Sequence, residues 1–316
     1  MNYRTLSSTG ISVSELCFGT MRYADKDGIE NEKSAAGRRA LEEAIDRGVN
    51  FIHSSYEYRT RWLTGSVLKQ HPKRSELHHI IKVNVPDWDE PRFSADSFRR
   101  QVETALTELS TERIAVVQHL QRGVSREEIT GDHGTSHRLA QFDEVTSELN
   151  EIASRMRSEG KIGAVMSFPY TVEYAELAVE ADVYSGLVAY FNLLETEMSP
   201  YFTRLVELNK DFISIRPLAG GILTDRRIDR DSLPADDRMK DTRWDDSYRR
   251  LDALKPVIGS PSSSRQQYAF QFSLADPAIK SSVLGINTVD HLATAAEVSP
   301  VAVQTVRRIH EINVKE

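Results

Sequence analysis

The sequence predicts an α/β fold, a closed (β/α)8 TIM barrel, on the basis of its length and its hydrophobic pattern. Eight short apolar runs alternate with longer amphipathic stretches along a chain of 316 residues. Apolar runs of this kind are typical of parallel strands, because helices cover both faces of a parallel sheet. Eight such strands favour a closed barrel over an open sheet. We therefore expect residues 1–316 to form one barrel domain.

Each apolar run has the length of a single strand and is rich in Val, Ile, Leu or Phe. The runs are ELCFG (15–19), VNFIH (49–53), HHIIKV (78–83), RIAVVQH (113–119), KIGAVMSF (161–168), SGLVAYF (185–191), FISIRP (212–217) and SSVLG (281–285).

Three stretches between these runs have helical periodicity. In AAGRRALEEAIDRG (35–48) the apolar side chains recur on one face and a glycine ends the stretch. SADSFRRQVETALTEL (94–109) has the same pattern, with Ser94 as its predicted N-cap. FDEVTSELNEIASRMRSEG (142–160) fits a third helix that ends at Gly160.

Two charged stretches interrupt the alternation and predict extended loops. GVSREEITGDHGTSHR (123–138) follows the fourth run, and DRRIDRDSLPADDRMKDTRWDD (225–246) follows the seventh. Barrel active sites are built from the loops that follow the strands, so either stretch is a candidate substrate loop or lid. The alternative is a solvated loop without a role in binding.

Composition excludes several classes of function. The formal net charge of −7, with scattered Lys and Arg, argues against nucleic-acid binding. No apolar run is long enough to cross a bilayer, and the first ten residues lack the pattern of a signal peptide. Cys17 is the one cysteine and lies in an apolar run, which favours a core position and a cytoplasmic location.

Several motifs, in order and spacing, resemble the aldo-keto reductase family over nearly the whole chain. YRTLSSTGISVSELCFGTM resembles the family's opening hairpin and first strand, and GVNFIHSSYEY its second-strand motif. IIKV resembles the third strand, RPLAGGILTD the seventh-strand loop, and VLGINTVDHLATA the segment around the adenosine of the cofactor. The resemblance implies an NAD(P)(H)-dependent oxidoreductase that acts on a carbonyl or alcohol substrate.

The resemblance assigns the chemistry to Tyr58 and Lys82. Tyr58 matches the tyrosine that protonates the developing alkoxide, and Lys82 matches the lysine that supports it. A phenol has an ordinary pKa of about 10, so a nearby cation helps it to transfer its proton near neutral pH. A lysine between Ile81 and Val83 is costly to bury without a partner, which favours a positioned pair over a surface lysine.

His53 occupies the position where the family has an aspartate. A neutral histidine can accept a hydrogen bond from Lys82 but adds no negative charge, and a protonated one repels the ammonium. Two hypotheses follow, a weaker relay of Tyr58, Lys82 and His53, or loss of the reductase chemistry. A histidine that only fills space at the strand end is equally compatible with the sequence.

His119 is the candidate for the family's fourth catalytic position. Without a gap, the family histidine aligns with Leu120, and His119 lies one residue early. One residue of slip turns a strand side chain to the opposite face. We expect a shortened or bulged strand end to bring His119 back to the opening of the barrel.

The cofactor positions match only in part. The family's carboxamide-binding pair is represented by Ser167 without a following Asn, and Val188 replaces the glutamine beside the nicotinamide. Asn287 replaces the basic residue expected at the adenosine 2′-phosphate, which leaves NADP, NAD, another nucleotide-like ligand or no dinucleotide all open. The cofactor-binding candidates are Gly19, Thr20, Met21, Ser167, Arg216, Pro217, Leu218, Gly220, Gly221, Gly285, Asn287 and His291.

Alternatives to reductase chemistry remain at this point. The same pocket would suit a lyase or isomerase with His53 as base, and a barrel without catalysis would act as a binding or regulatory subunit. We expect no metal site, because His133, His137 and Asp132 show no recognised ligand spacing. The expected partner is a small-molecule substrate, and the sequence does not specify an oligomeric state.

Overall fold

The computed structural model describes residues 1–123, 134–227, 229–258, 264–295 and 300–315. Eight parallel strands close a barrel in chain order, with the last pairing with the first. Each strand overlaps one of the eight predicted runs, so the predicted fold class is confirmed. The barrel strands are β3 (Leu16–Gly19), β4 (Phe51–Ser55), β5 (His78–Asn84), β6 (Ile114–Leu120), β7 (Ile162–Ser167), β8 (Gly186–Tyr190), β9 (Asp211–Ile215) and β10 (Ile279–Gly285).

An antiparallel hairpin precedes the barrel and closes its amino end. Its strands are β1 (Tyr3–Thr5) and β2 (Ser12–Ser14). Leu6 and Val13 are buried in the same apolar cluster as the inward side chains of the barrel strands. Solvent therefore reaches the barrel from the opposite end, where the strands finish.

Helices surround the strands, and the three predicted helices are present. Ser94 caps the second of them, because its hydroxyl accepts the Ser97 N–H at 3.1 Å. Within the described ranges, no helix is long and apolar enough to cross a membrane. The helices are α1 (Glu32–Asp46), α2 (Arg61–Gln70), α3 (Ala95–Leu109), α4 (Thr135–Ala140), α5 (Phe142–Ser158), α6 (Val172–Glu180), α7 (Phe202–Glu207), α8 (Asp245–Ile258), α9 (Arg265–Phe272) and α10 (Val303–Asn313).

Strand alternation divides the buried apolar residues into two clusters. One fills the barrel and includes Cys17 and Phe51, and the other lies between strands and helices and includes Ile52. Because successive side chains point to opposite faces, His53 follows Phe51 to the inner side. This alternation decides which polar side chains reach the open end of the barrel.

The two predicted loops differ in how much of them the structure describes. Residues 124–133 of the first lie outside the described residues, and α4 forms its remaining part. The second folds into two short 3-10 turns, Arg238–Lys240 and Thr242–Trp244, before α8 begins. A lid role for either loop and the single-domain boundary stay predictions.

Candidate active site

Tyr58, Lys82 and His53 lie together at the carboxyl end of the barrel. Ser55, the last residue of β4, pairs in register with Lys82 of β5, which places Tyr58 three residues later beside the lysine. Lys82 Nζ is 5.2 Å from the centroid of the Tyr58 ring. The His53 ring centroid is 6.0 Å from the same ring. The structure thus brings together three of the four predicted catalytic side chains.

A tight turn after β4 fixes the Tyr58 side chain. Residues Tyr56–Tyr58 form a 3-10 turn whose start is capped by Ser55, because the Ser55 hydroxyl accepts the Glu57 N–H at 3.3 Å. Arg59 adopts a left-handed conformation with φ 57°, which turns the chain into α2. Tyr58 is 9% exposed as a result.

The Tyr58 hydroxyl is a weak acid in this setting. Burial raises the pKa of Tyr58 strongly and the Glu57 carboxylate raises it further, while Arg122 and Arg61 oppose the rise. The phenol therefore keeps its proton at neutral pH and is suited to donate it. Lys82 faces the ring rather than the hydroxyl.

Lys82 points into the barrel from β5 and is partly buried. In the described part of the chain, its ammonium forms no hydrogen bond or ion pair. Burial lowers the pKa of Lys82, and Tyr190 and Glu57 oppose that fall, whereas the Arg122 cation adds to it. Among the described residues, Lys82 therefore lacks a direct carboxylate partner.

His53 is a neutral hydrogen-bond donor. Its Nε2 lies 2.9 Å from Gln118 Oε1, and the Gln118 amide nitrogen donates to the Val188 carbonyl at 3.4 Å. The Gln118 oxygen thus accepts from His53, so Nε2 carries the hydrogen and Nδ1 is the free acceptor. Burial, with the Lys82 charge second, lowers the pKa of His53 to about 3. His53 adds no charge beside Lys82.

Gln118 was not predicted from the sequence, because the family resemblance points to the histidine beside it. Gln118 pairs in register with Lys82, and its neighbours Val116 and Leu120 on the same face belong to the barrel interior. Every second side chain of a strand points to the same face, so the alternation along β6 could have predicted an inward polar side chain at position 118.

The structure corrects the expected position of His119. β6 continues in regular register through Leu120, so no bulge turns the histidine inward. His119 instead faces the helices, where Nε2 is 2.6 Å from the Val85 carbonyl and Nδ1 is 2.8 Å from the Tyr184 hydroxyl. Burial lowers the pKa of His119 to about 4, so the neutral ring uses both nitrogens in the outer core.

A charged cluster of Glu57, Asp87 and Arg122 lies beside Tyr58. Arg122 binds both oxygens of Glu57, at 2.7 and 2.9 Å, and Asp87 at 3.2 Å. Its guanidinium also stacks on the Trp88 ring, 4.7 Å from the centroid. The Tyr56 hydroxyl donates to Asp87. This Glu57–Asp87–Arg122 cluster could not be predicted from the sequence, because its members come from three separate loops.

Arg61 has a structural role. It is 3% exposed and faces the helices, where it donates to the Ser54 hydroxyl at 3.2 Å and to Glu108 at 3.0 Å. Its guanidinium therefore joins β4 to α3.

The first cofactor segment follows β3. A Cβ on Gly19 would lie 2.9 Å from the Leu284 carbonyl oxygen, so close packing of β3 against β10 requires glycine there. Thr20 is buried and donates its hydroxyl to the His53 carbonyl at 2.9 Å. Met21 is 54% exposed at the barrel opening.

The turn after β9 contains Arg216, Pro217 and Leu218. Arg216 has φ 62°, pairs with Glu195 at 3.1 Å and stacks on Tyr190 with its guanidinium carbon 4.6 Å from the ring centroid. The turn closes through the Gly221 N–H, which donates to the Leu218 carbonyl at 2.7 Å. Arg216 and Tyr190 also line a cavity of about 350 Å³ beside the barrel opening.

Gly220 and Gly221 adopt positive φ values of 71° and 110°, which favour glycine. The Trp244 ring lies 3.2 Å from where a Cβ on Gly220 would be, and Arg227 Nη1 lies 2.9 Å from that position on Gly221. Arg238 donates to the Gly220 carbonyl. Arginine side chains from the second extended loop therefore surround this glycine turn, and guanidinium groups suit phosphate oxygens.

The remaining cofactor candidates fall into two groups. Ser167 pairs in register with His119 and is fully buried on the helix-facing side beside Tyr184, which corrects its expected place at the ligand. Gly285 and His291 are exposed after β10, and the Asn287 N–H donates to His291 Nδ1 at 3.3 Å. Asn287 Oδ1 is buried without a hydrogen-bond partner among the described residues.

The histidines considered for a metal site do not form a described cluster. No group of three or more His, Cys, Asp or Glu side chains in the described residues could hold a metal ion. His133 and Asp132 lie outside those residues.

Two Bacillus subtilis (strain 168) proteins are similar over most of their length, both described as uncharacterized oxidoreductases. YrpG is 24% identical over 314 residues, which cover 92% of this chain and 89% of that protein. YqkF is 22% identical over 309 residues, with the same coverages of 92% and 89%.

Solved structures show the same fold. An aldo-keto reductase from Bacillus halodurans in its holo form matches with TM-score 0.73 at 18% identity, covering 99% of this chain and 96% of that one. A glycerol dehydrogenase from Gluconobacter oxydans matches with TM-score 0.69 at 16% identity, covering 99% and 95%. The model of the aldo/keto reductase family matches residues 15–314. The chain belongs to the aldo/keto reductase family.

Proposed function

We propose that the protein is an NAD(P)(H)-dependent oxidoreductase that interconverts a carbonyl and an alcohol. Tyr58 is the general acid and Lys82 supports it. The observation that carries this proposal is the placement of Lys82 Nζ 5.2 Å from the Tyr58 ring at the open end of the barrel. Family membership supports oxidoreduction in general.

The two side chains would divide the proton chemistry between them. The protonated Tyr58 hydroxyl donates to the substrate oxygen as negative charge develops there. The Lys82 ammonium favours the phenolate that this transfer leaves behind, because opposite charges attract strongly in a partly buried site. A bound reduced nicotinamide would supply the hydride for the carbonyl carbon.

The structure fits a dinucleotide at the glycine turn after β9. Gly220 and Gly221 adopt positive φ values there, and Arg227 and Arg238 bring guanidinium groups to the same turn. These residues would hold a pyrophosphate. Residues 285–295 contain no Lys or Arg for an adenosine 2′-phosphate, so we propose NADP or NAD with a weakened preference for NADP.

A binding titration tests the proposal. Purified protein is titrated separately with NADPH and NADH while tryptophan emission is followed. Trp244, at the glycine turn, should be quenched, and the Trp244→Phe variant should lose most of that signal while still binding the cofactor. Saturable binding of either nucleotide supports the proposal. Absence of binding of both at millimolar concentration contradicts it.

The structure does not favour a lyase or isomerase with His53 as base. His53 is 3% exposed, its Nε2 hydrogen is engaged by Gln118, and burial lowers its pKa to about 3. A general base needs contact with the substrate and a pKa near the working pH.

A further inference from the structure

The Lys82 ammonium needs a negative charge that position 53 does not provide. A partly buried cation without a partner is destabilised, and the group responds by losing its proton. His53 is neutral, and its side chain forms a hydrogen bond with Gln118 at 2.9 Å. Tyr190, which acts on Lys82 from β8, is a phenol. The compensating charge must therefore come from a loop.

We propose that Glu57, held in place by Arg122, is the positioning residue that supplies this negative charge to Lys82. Glu57 occupies the same 3-10 turn as Tyr58, one residue earlier. Both of its carboxylate oxygens are fixed by Arg122, at 2.7 and 2.9 Å. The effect of Glu57 on turnover rests on the proposed function. Its effect on the pKa of Lys82 does not.

Charge balance supports the choice of Glu57. The Glu57–Asp87–Arg122 cluster carries two carboxylates and one guanidinium, which leaves one negative charge beside one ammonium. Removal of Glu57 would leave Arg122 and Lys82 facing each other with Asp87 as the one remaining carboxylate of the cluster. The side chains of Glu57 and Arg122 are 24% and 7% exposed, so water screens their charges only in part.

Asp87 is a poorer candidate for the same role. Its carboxylate accepts the Tyr56 hydroxyl, the Trp88 N–H at 2.7 Å and Arg122. Glu57 is the cluster carboxylate whose charge acts on both Tyr58 and Lys82. Arg122 lowers the pKa of Glu57 against the effect of burial, so the carboxylate is ionised at neutral pH. Arg61, which acts on Tyr58 from the helix side, is neutralised by Glu108.

The direct test is an NMR titration of protein labelled with 13C at lysine Cε, beside the ammonium, with the Lys82 signal assigned by Lys82→Arg. Glu57→Gln keeps the side-chain shape and removes the charge, so the midpoint of the Lys82 titration should fall by about one pH unit. The matched control is Glu159→Gln. Glu159 also binds an arginine through both oxygens, at 2.7 Å each, but at the opposite end of the barrel. The control should leave the midpoint unchanged.

A carboxylate placed at position 53 should rescue the effect. In the double variant His53→Asp/Glu57→Gln, the midpoint should return to or above its original value. An unchanged midpoint in Glu57→Gln overturns the inference. If that variant does not fold, the comparison of His53→Asp with the double variant measures the same charge, and no fall between them is the overturning result.

Turnover provides a second readout if carbonyl reduction is detected. The alkaline limb of the pH profile should move to lower pH in Glu57→Gln, with about tenfold lower activity on that limb. A parallel loss at all pH values would indicate a structural role and contradict the inference. The NMR titration needs no turnover, so it decides the role of Glu57 even if the protein reduces no carbonyl.

Discussion

Tyr58 lies beside Lys82 because β4 and β5 are neighbouring parallel strands that reach the same level at the carboxyl end of the barrel. β4 stops at Ser55, whose register partner is Lys82, and the capped turn that follows returns Tyr58 over the lysine. The contact is made with the ring face, 5.2 Å from its centroid. A bound substrate would therefore meet a hydroxyl that Lys82 does not cover.

Tyr58→Phe is the sharpest test at the residue scale. Removal of the proton donor should lower turnover at least about a hundredfold, because general-acid catalysis typically contributes that much. Circular dichroism and nucleotide binding should be unchanged. Tyr201→Phe is the matched control, since its hydroxyl bonds to the Val172 carbonyl and Glu176 on the outer surface. Equal turnover in the Tyr58 variant would exclude Tyr58 as the acid.

The candidate catalytic residues show what the sequence could and could not predict. The structure brings Lys82 and His53 to the barrel opening, where the family resemblance suggested them, and their catalytic roles stay predictions. His119 was misplaced because a shift of one residue reverses the face of a side chain, and no local signal distinguishes a bulge from a regular strand end. Ser167 shares that outer face with His119, so its side chain also lies away from the barrel interior.

At the scale of elements, helices pack on each other through close backbone contacts. Gly65 of α2 lies against α3, where a Cβ would be 2.0 Å from the Glu108 carbonyl oxygen. Only a residue without a side chain fits there, so glycine in this helix serves packing. Arg61, one helical turn before Gly65, forms an ion pair with the side chain of the same Glu108.

Gly65→Ala should therefore destabilise the fold. The added methyl group forces α2 and α3 apart, and overpacking of this kind costs about 2 kcal/mol in the free energy of unfolding. Urea denaturation followed by circular dichroism measures it. Gly285→Ala is the control, because a Cβ at Gly285 meets no atom within 4 Å. Equal stability of the two variants would show that the helices can separate at little cost.

Elements were easier to predict than the contacts between their loops. The eight strands and the Ser94 cap follow from local pattern, and the structure confirms them. The Glu57–Asp87–Arg122 cluster depends on three loops whose members are 35 and 65 residues apart along the chain. No periodicity links such positions, and only the closed barrel brings them together.

The whole molecule buries several histidines in the neutral state. Burial lowers the pKa of His53 to about 3 and those of His79 and His119 to about 4. In the unfolded chain their pKa values would be about 6.5. Because the unfolded state binds more protons in the interval between these values, stability is present above about pH 6.5 and is lost as the pH falls.

The free energy of unfolding should therefore fall steeply as the pH is lowered. Each of these histidines contributes about 1.4 kcal/mol per pH unit in that interval, so the three together approach about 4 kcal/mol per pH unit. Urea titrations at several pH values measure the slope. His79→Gln should reduce the slope by about one third, whereas the exposed His291→Gln should not change it. An unchanged slope in His79→Gln would show that His79 does not contribute to the acid sensitivity.

The arginine that joins three loops also constrains redesign of this barrel. Arg122 follows β6, yet its two carboxylate partners follow β4 and β5. A chimera that exchanges only one of these loops with a relative would leave a charged side chain of the cluster without its partner. The side chain of Arg122 is only 7% exposed, so water would not compensate for the loss. New specificities should accordingly be grafted by moving the three loops as one unit.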